Sequence, residues 1–174
     1  MSHSPLLSDF KHLFKQQGKP ILDLACGSGR NGLYVQQQGF PIQFADKNSE
    51  SLSQLQTQYA ISADACDCID FETGNQILRK HSYQGIMVFR YLHRPLMDQI
   101  KDAIEPGGFL IYETFTVDNR QFGKPNRDAF LLQKNELKTL FNDWRCLFYY
   151  EGIKHNPDRA IAQIVCQKPV SQAD

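Results

Sequence analysis

The chain has 174 residues, of which 41% are hydrophobic and 22% are charged, and these are ordinary values for a globular protein of one domain. Nineteen basic residues balance nineteen acidic ones, so no overall field attracts nucleic acid or an anionic membrane. No apolar run approaches the roughly 20 residues of a membrane span, and the first residues lack a signal-peptide pattern. We expect a cytoplasmic monomer or homodimer that binds neither membrane nor nucleic acid.

The cysteines also indicate a reducing compartment such as the cytoplasm. There are five, an odd number that suits reduced thiols better than a disulfide framework. Cys66 and Cys68 form a C-x-C, but no second pair or nearby histidine completes a zinc-binding set. No metal site is predicted.

The N-terminal residues 1–18 are predicted to form an amphipathic helix. Ser4 and Pro5 open it, Gly18 and Pro20 close it, and apolar side chains share one face. The face consists of Leu6, Leu7, Phe10, Leu13 and Phe14. We expect this face to pack on the domain; a helix that binds a partner is the alternative.

From Pro20 onward, apolar runs alternate with helical stretches. The predicted strands are 21–25, 41–45, 60–63, 83–89, 107–115, 144–152 and 159–168, and the predicted helices are 30–38, 49–58, 94–104 and 135–141. This alternation, closed by two consecutive strands, predicts a single α/β domain over residues 1–174. Its fold class is Rossmann-like and doubly wound, with a seven-stranded, mostly parallel sheet and an antiparallel C-terminal strand.

One long connection, Thr116–Leu132, has no predicted element. Loops of this length in a compact domain are often lids or binding loops. Gly123 could serve as a hinge, and Phe122 and Phe130 could cover a ligand. The alternative is an irregular crossover with its aromatic side chains packed permanently on the sheet.

The stretch ILDLACGSGRNG, residues 21–32, carries the chemistry. Its Gly27, Gly29 and Gly32 form a G-x-G-x-x-G between the first strand and the first helix of the alternation. Glycines there allow a tight turn and a close approach of backbone to a ligand, and the helix N-terminus attracts a negative group. The motif alone suits NAD and S-adenosylmethionine equally.

Three aspartates lie where a cofactor would bind, and one of them, Asp23, favours S-adenosylmethionine over NAD. Asp23 lies near the ligand crevice, where it would repel a pyrophosphate but pair with the ammonium of the methionine part. Asp46, ending the second strand, suits the ribose hydroxyls of either cofactor. Asp64, interpreted as ending the third strand, would accept a bond from the adenine amino group. As an alternative, each could be a simple turn residue.

In this order, ILDLACGSGRNG, FADKN, SADAC, VFRYLH and EPGGFLIYETF resemble the successive motifs of class I S-adenosylmethionine-dependent methyltransferases. The resemblance covers nearly all of the chain after Lys19. Within the class, ACGSGRNGLYVQQQGF and NELKTLFNDWRCLFYYEG are most similar to the small tellurite-resistance type. The closing segment HNPDRAIAQIVCQK is shorter than in that type. The resemblance therefore does not extend to the residues with which that type handles its anion, or to tellurite as the substrate.

The resemblance implies cofactor roles at matching positions. The implied cofactor-binding residues are Asp23, Ala25, Cys26, Gly27, Gly29, Arg30, Asn31, Asp46, Lys47, Asp64, Ala65 and Phe89. The methionine part would lie at residues 23–31, the ribose at Asp46 and Lys47, and the adenine at Asp64 and Ala65. Phe89 and Arg90 would lie beneath the methyl group.

A rim of cationic and aromatic residues follows the fourth and fifth strands and could receive a small anionic or aromatic methyl acceptor. It consists of Arg90, Tyr91, His93, Arg94, Tyr112, Glu113 and Phe115. The candidate catalytic residues are Arg90, Tyr91 and His93, with His93 as the base if the acceptor needs deprotonation. Alternatively, His93 and Arg94 only begin a helix before Pro95, and Tyr91 only covers apolar surface.

The predicted function is therefore an S-adenosylmethionine-dependent methyltransferase acting on a small molecule such as a thiol, a carboxylate or an oxyanion. One alternative is a module or sensor that binds S-adenosylmethionine without transferring its methyl group. A second alternative is methylation of RNA or protein, which would bring strongly salt-sensitive binding and which the neutral composition disfavours.

Overall fold

A seven-stranded mixed sheet forms the centre of residues 2–170, the part of the chain that the computed structural model describes. Its strands are β1 (Ile21–Leu24), β2 (Ile42–Asp46), β3 (Cys66–Cys68), β4 (Tyr83–Phe89), β5 (Ile104–Phe115), β6 (Arg145–Lys154) and β7 (Arg159–Gln167). Their order is β3-β2-β1-β4-β5-β7-β6. Only β7 runs antiparallel to its neighbours. The predicted α/β fold, with its mostly parallel sheet and antiparallel C-terminal strand, is confirmed.

Helices cover both faces of the sheet. They are α1 (Pro5–Phe10), α2 (Arg30–Gln37), α3 (Ser49–Tyr59), α4 (Met97–Ala103) and α5 (Glu136–Leu140). The first three bury apolar side chains in one core cluster, and the last two do so in a second cluster. Coverage of both faces explains why β1 is buried along its whole length. No helix within residues 2–170 is long and apolar enough to cross a membrane.

The N-terminal helix is shorter than predicted. The Ser4 hydroxyl accepts a hydrogen bond from the Leu6 N–H (3.3 Å), Pro5 occupies the first turn, and α1 ends at Phe10 before a 3-10 turn. Met1, where the predicted helix began, lies outside the described residues. Leu6, Leu7 and Phe14 are buried, so the apolar face packs on the domain as expected.

The predicted third strand is wrong in position. The strand expected at 60–63 is instead β3, Cys66–Cys68. Ala60 caps α3 with a left-handed backbone (φ 55°), and Ala63–Ala65 form a 3-10 turn. Because β3 is a three-residue edge strand of alternating Cys and Asp, it lacks the β-branched and aromatic residues by which a strand is recognised in sequence.

The connection Thr116–Leu132 is not without regular structure. It contains two 3-10 turns, Val117–Phe122 and Asp128–Phe130. Its two ends are joined where the Val117 N–H donates to the Leu132 carbonyl (3.0 Å). Asn119, only 2% exposed, accepts a hydrogen bond from the Ala160 N–H (3.0 Å) at the start of β7. The base of the loop is therefore fixed to the sheet, whereas its tip is exposed.

Candidate functional site

The glycine loop lies between β1 and α2, at the carboxyl edge of the parallel strands. Ala25, Gly27 and Gly29 have left-handed backbones with φ of 55°, 54° and 73°. A Cβ added at Gly27 would meet nothing within 4 Å, whereas one at Gly29 would lie 2.7 Å from Cδ2 of Leu55. Gly27 therefore leaves open backbone at the edge, and Gly29 lets the loop pack closely on α3.

Gly32 allows α2 to approach the sheet closely. An added Cβ would overlap the ring of Phe44 and lie 2.7 Å from Oδ2 of Asp23. The Gly32 N–H donates to that same Asp23 oxygen at 2.9 Å. The third glycine of the motif is thus required by helix-to-sheet packing.

Asp23 is 3% exposed beneath the first turn of α2. Burial raises the pKa of its carboxyl from 3.8 to about 7, although the Gly32 N–H and the charge of Arg30 oppose the shift. A carboxyl in this position is poised to lose its proton when a cation approaches. Its predicted contact with a ligand ammonium stays a prediction.

Asp46 at the end of β2 holds two turns together. Its Oδ2 accepts the Gly27 N–H (2.8 Å), and its Oδ1 accepts the Asn48 N–H (2.9 Å) that precedes α3. Each carboxylate oxygen has a second lone pair, so Asp46 can still accept a bond from a ligand hydroxyl.

Asp46 faces a cleft at the ends of β1 to β4, which we call the first cleft. It is lined by Ala25, Asp46, Lys47, Ile69, Asp70, Phe71, Glu72, Arg90 and Tyr91. Four of these residues, 69–72, follow β3 and were missed in the sequence because β3 was misplaced. The CDCIDFE segment, in which Ile69 and Phe71 alternate with acids, is the signal that could have located them.

The predicted position of Asp64 is corrected accordingly. Asp64 does not end the third strand; it lies in the 3-10 turn that precedes β3. Since β3 runs parallel to β2 with Cys68 beside Asp46, residues 63–65 are at the opposite end of β3 from the first cleft. Asp64 is exposed, its carbonyl accepts from Gln43 (3.1 Å), and Ala65 packs against the core. The aspartate that follows β3 and lines the first cleft is Asp70.

Several predicted cofactor residues are engaged within the protein. The Oδ1 of Asn31 accepts the Ser4 N–H (2.8 Å), so this amide faces the N-terminal segment. Cys26 is half-buried, and burial raises the pKa of its thiol. Phe89 is 8% exposed and belongs to the core cluster beneath α2. Across the described residues, no group of three or more His, Cys, Asp or Glu side chains could hold a metal ion.

Arg90 joins the first cleft to a second one. It has a left-handed backbone (φ 57°), which is uncommon for a residue with a side chain and frequent at functional sites. Its N–H donates to the Glu113 carbonyl (2.8 Å) and its guanidinium lies 5.9 Å from the centre of the Phe115 ring. Arg90 lines both clefts, so it lies between a ligand bound in the first cleft and a ligand bound in the second.

The second cleft has a volume of about 540 Å³ and lies between the N-terminal segment, α2 and the β6–β7 hairpin. Four cationic side chains line it: Arg30, Arg90, Lys154 and Arg159. Nε of Arg159 is the one buried side-chain nitrogen or oxygen in residues 2–170 with no hydrogen-bond partner. A buried guanidinium nitrogen without a partner is costly, and an anion in the cleft would satisfy it.

Arg159, Lys154 and Gln163 were missed in the sequence. Gln163 is 7% exposed, and the other buried residues of β7, within 160–166, are all apolar. A glutamine at an inward-facing position of such a strand is the signal that could have indicated a site on the hairpin.

The predicted catalytic residues are not gathered at one place. Tyr91 lies in the first cleft, where its hydroxyl is 3.4 Å from Oε1 of Glu72 and burial raises its pKa. His93 is half-buried at the start of a 3-10 turn, outside the residues that line either cleft. The structure therefore brings Arg90 together with Tyr91 but not with His93.

Two members of the predicted rim have structural roles instead. Arg94 binds Glu136 through two of its guanidinium nitrogens, Nε (2.6 Å) and Nη2 (2.9 Å), and it also donates to the Leu131 carbonyl (2.9 Å). Tyr112 is fully buried, and its hydroxyl donates to the Tyr91 carbonyl (2.7 Å). Arg94 fixes the turn after β4 to α5 and to the end of the long connection, and Tyr112 fixes the residue after Arg90 to β5. Neither residue lines the first or the second cleft.

Comparison with known proteins agrees with this fold. Residues 2–164 match the family described as tellurite resistance protein TehB. A probable S-adenosyl-L-methionine-dependent methyltransferase TehB from Haemophilus influenzae is 28% identical over 140 residues, which are 76% of this chain and 48% of the relative. The chain thus spans about half the length of the curated relatives it matches.

Solved structures show the same fold at low identity. An S-adenosylmethionine-dependent methyltransferase from Methanosarcina mazei, 14% identical, has a TM-score of 0.73 over 98% of this chain and 100% of its own. TehB from Haemophilus influenzae, 21% identical, has a TM-score of 0.73 over 95% of this chain and 62% of its own. The resemblance to the small tellurite-resistance type of class I methyltransferase is confirmed. The chain belongs to the tellurite resistance protein TehB family.

Proposed function

We propose that this protein is an S-adenosylmethionine-dependent methyltransferase that acts on a small anionic molecule. The observation that carries the proposal is that a site lined by carboxylates and apolar side chains at the sheet edge and a cationic cleft meet at one residue, Arg90. When bound, S-adenosylmethionine supplies an electrophilic methyl group on a sulfonium. The chain's own contribution is to align an acceptor with that methyl group and to exclude water.

The residues of the first cleft fit this cofactor. Open backbone at Gly27 allows close approach, and the carboxylates of Asp46 and Asp70 offer acceptors for ribose hydroxyls and the adenine amino group. Ile69 and Phe71 supply an apolar wall for the adenine ring. An acidic lining of this kind would repel the pyrophosphate of NAD.

The second cleft supports an anionic acceptor. Its lining holds four cationic side chains, Arg30, Arg90, Lys154 and Arg159, against two acids, Asp9 and Glu113, in a protein whose overall formal charge is zero. The unpartnered Nε of Arg159 favours an acceptor that carries a carboxylate or an oxyanion. The volume of about 540 Å³ suits a small molecule.

Calorimetry and a methyl-transfer assay test the proposal. We expect S-adenosylhomocysteine to bind at one site per chain and NADH not to bind. With S-adenosylmethionine present, we expect methyl transfer to at least one of 2-mercaptobenzoate, salicylate, anthranilate, selenite and tellurite. Mass spectrometry detects the methylated product. Tight cofactor binding without turnover of any of these would favour the sensor alternative.

Replacing Asp46 with alanine is expected to weaken S-adenosylhomocysteine binding by about 1.5–3 kcal/mol, because a charge-assisted hydrogen bond to the ribose is lost. The variant also frees the N–H groups of Gly27 and Asn48, so the glycine loop loses its support. Calorimetry measures the affinity, with Glu50→Ala on the exposed first turn of α3 as the matched control. Unchanged affinity in Asp46→Ala would refute the ribose assignment.

The exposed tip of Thr116–Leu132 is expected to act as a lid over the acceptor. Phe130 is 46% exposed, and Gly123 has a φ of 115° that only glycine adopts readily. Amide hydrogen exchange at the tip, residues 120–130, should slow when cofactor and acceptor are both bound, while the fixed base of the loop is already protected. Phe122→Ala should impair methyl transfer more than cofactor binding. A tip whose exchange is slow without ligand and unchanged by it would refute the lid.

A further inference from the structure

A buried carboxylate lies where the two clefts meet. Glu113 is 5% exposed near the end of β5, and in the sheet register it stands directly beside Phe89, the last residue of β4. Its carbonyl accepts the Arg90 N–H at 2.8 Å. Its side chain lines the second cleft. Glu113 is therefore next to the place where an acceptor atom must meet the methyl group.

Only one oxygen of this carboxylate is used within the protein. The Gln163 amide and the Ser4 hydroxyl (3.4 Å) both donate to Oε2. Oε1 accepts no hydrogen bond from any described residue. Arg159 Nε is the one side-chain nitrogen or oxygen in residues 2–170 that is both fully buried and without a partner, so Oε1 is accessible to solvent. Oε1 is therefore open to the second cleft, and Oε2 fixes its direction.

Glu113 is not the partner of an arginine. The other charged or titratable groups that line its cleft are Arg30 from α2, Arg90 after β4, Lys154 and Arg159 from the hairpin, and His3 and Asp9 from the N-terminal segment. Of the salt bridges among the described residues, none includes Glu113. A buried carboxylate held by neutral donors, with one free oxygen facing a cleft, is typical of a group that receives a proton or a hydrogen bond from a ligand.

We propose that Glu113 is a catalytic residue that binds the acceptor's O–H, N–H or S–H group and takes its proton. This inference rests on the proposed function and narrows its substrate class to anionic molecules with a protic nucleophile. The acceptor atom forms a bond to the methyl carbon as the bond from that carbon to sulfur breaks. The electron pair of the broken bond stays on sulfur, and the acceptor proton goes to Oε1 of Glu113.

The experiment compares Glu113→Gln with the wild type on 2-mercaptobenzoate, salicylate, anthranilate, selenite and tellurite. Glutamine keeps the shape and can accept a hydrogen bond, but it cannot take a proton. We expect kcat on the protic carboxylates to fall by about 100-fold or more at pH 7, with the affinity for S-adenosylhomocysteine within twofold of wild type. Glu105→Gln, in a partly exposed salt bridge with Lys19 at the other end of β5, is the matched control.

The pH profile separates proton transfer from a structural role. On 2-mercaptobenzoate, whose thiol ionises at an accessible pH, the loss in Glu113→Gln should shrink above the pKa of that thiol, because an ionised acceptor needs no base. Misfolding would give a loss independent of pH. Equal kcat in both proteins on a protic acceptor overturns the proposal, as does turnover of selenite or tellurite alone. A wild type that binds cofactor but methylates none of these molecules contradicts the proposed function itself.

Discussion

Gly32→Ala is expected to lower the free energy of unfolding by about 3 kcal/mol, the upper part of the usual range for overpacking a buried site. The new methyl group would overlap the Phe44 ring and press on Oδ2 of Asp23. To relieve this, α2 must move away from the sheet, and the 2.9 Å bond from the Gly32 N–H to Asp23 must lengthen. In a protein of this size the midpoint of thermal unfolding should fall by about 6–12 °C.

The direction of this effect identifies its cause. In an exposed helix, replacing glycine by alanine stabilises by about 1 kcal/mol, so a loss at Gly32 reports close packing and not helix propensity. Gln36→Ala, on the exposed side of α2, is the matched control and should change stability little. In the double variant with Phe44→Leu, which makes room for the methyl group, the two losses should not add. Additive losses would contradict the packing explanation.

Asp23→Asn is expected to stabilise the protein at pH 8 while weakening its binding of S-adenosylhomocysteine. In the folded state the pKa of Asp23 is raised from 3.8 to about 7 by burial, so between these values the folded protein holds a proton that the unfolded chain has released. Stability therefore falls as the pH rises from about 4 to about 7. Asparagine does not titrate, and its amide oxygen can still accept the Gly32 N–H.

Chemical denaturation at several pH values measures the first half of this prediction. The difference in free energy of unfolding between Asp23→Asn and wild type should shift in favour of the variant by about 2–3 kcal/mol between pH 5 and pH 8. This follows because the wild type loses about 1.4 kcal/mol per pH unit until the pH reaches the folded pKa. An advantage that does not change with pH would show that Asp23 is ionised throughout this range.

Calorimetry measures the second half. If the Asp23 carboxylate pairs with the ligand ammonium, wild-type affinity should rise between pH 6 and pH 8, because ionisation of Asp23 is then part of binding. The affinity of Asp23→Asn should be lower at pH 8, and without the titration of residue 23 it should change less with pH. Equal affinity in the two proteins would limit Asp23 to anchoring α2.

The features that could be predicted from the sequence are those that depend on local patterns of neighbouring residues. The alternation of apolar runs and helical stretches specified the sheet, since each buried strand has to be covered on both faces. The glycine motif specified the loop at residues 25–29 because few other residues adopt its backbone angles. Asp46 followed from its place at the end of an apolar strand.

The features that escaped prediction depend on contacts between distant segments. Because β3 is too short to show its own period, the third strand was predicted at 60–63, and Asp64 was predicted to end it. Arg94 belonged to the predicted rim, yet its partner Glu136 comes from α5, 42 residues later. Arg159 could not be assigned to the cleft because only the sheet order brings β7 beside β5. Sequence spacing contains no information on such pairings.

The position of β7 inside the sheet has a consequence for synthesis. Residues 159–167 fill the gap between β5 and β6, about fifty residues after their β5 partners. Until the ribosome has released them, β5 presents an unpaired edge and β6 has no neighbour, a state open to aggregation. Arg159 and Gln163 arrive on that same strand, so a nascent chain cannot complete its sheet without also completing the cationic cleft.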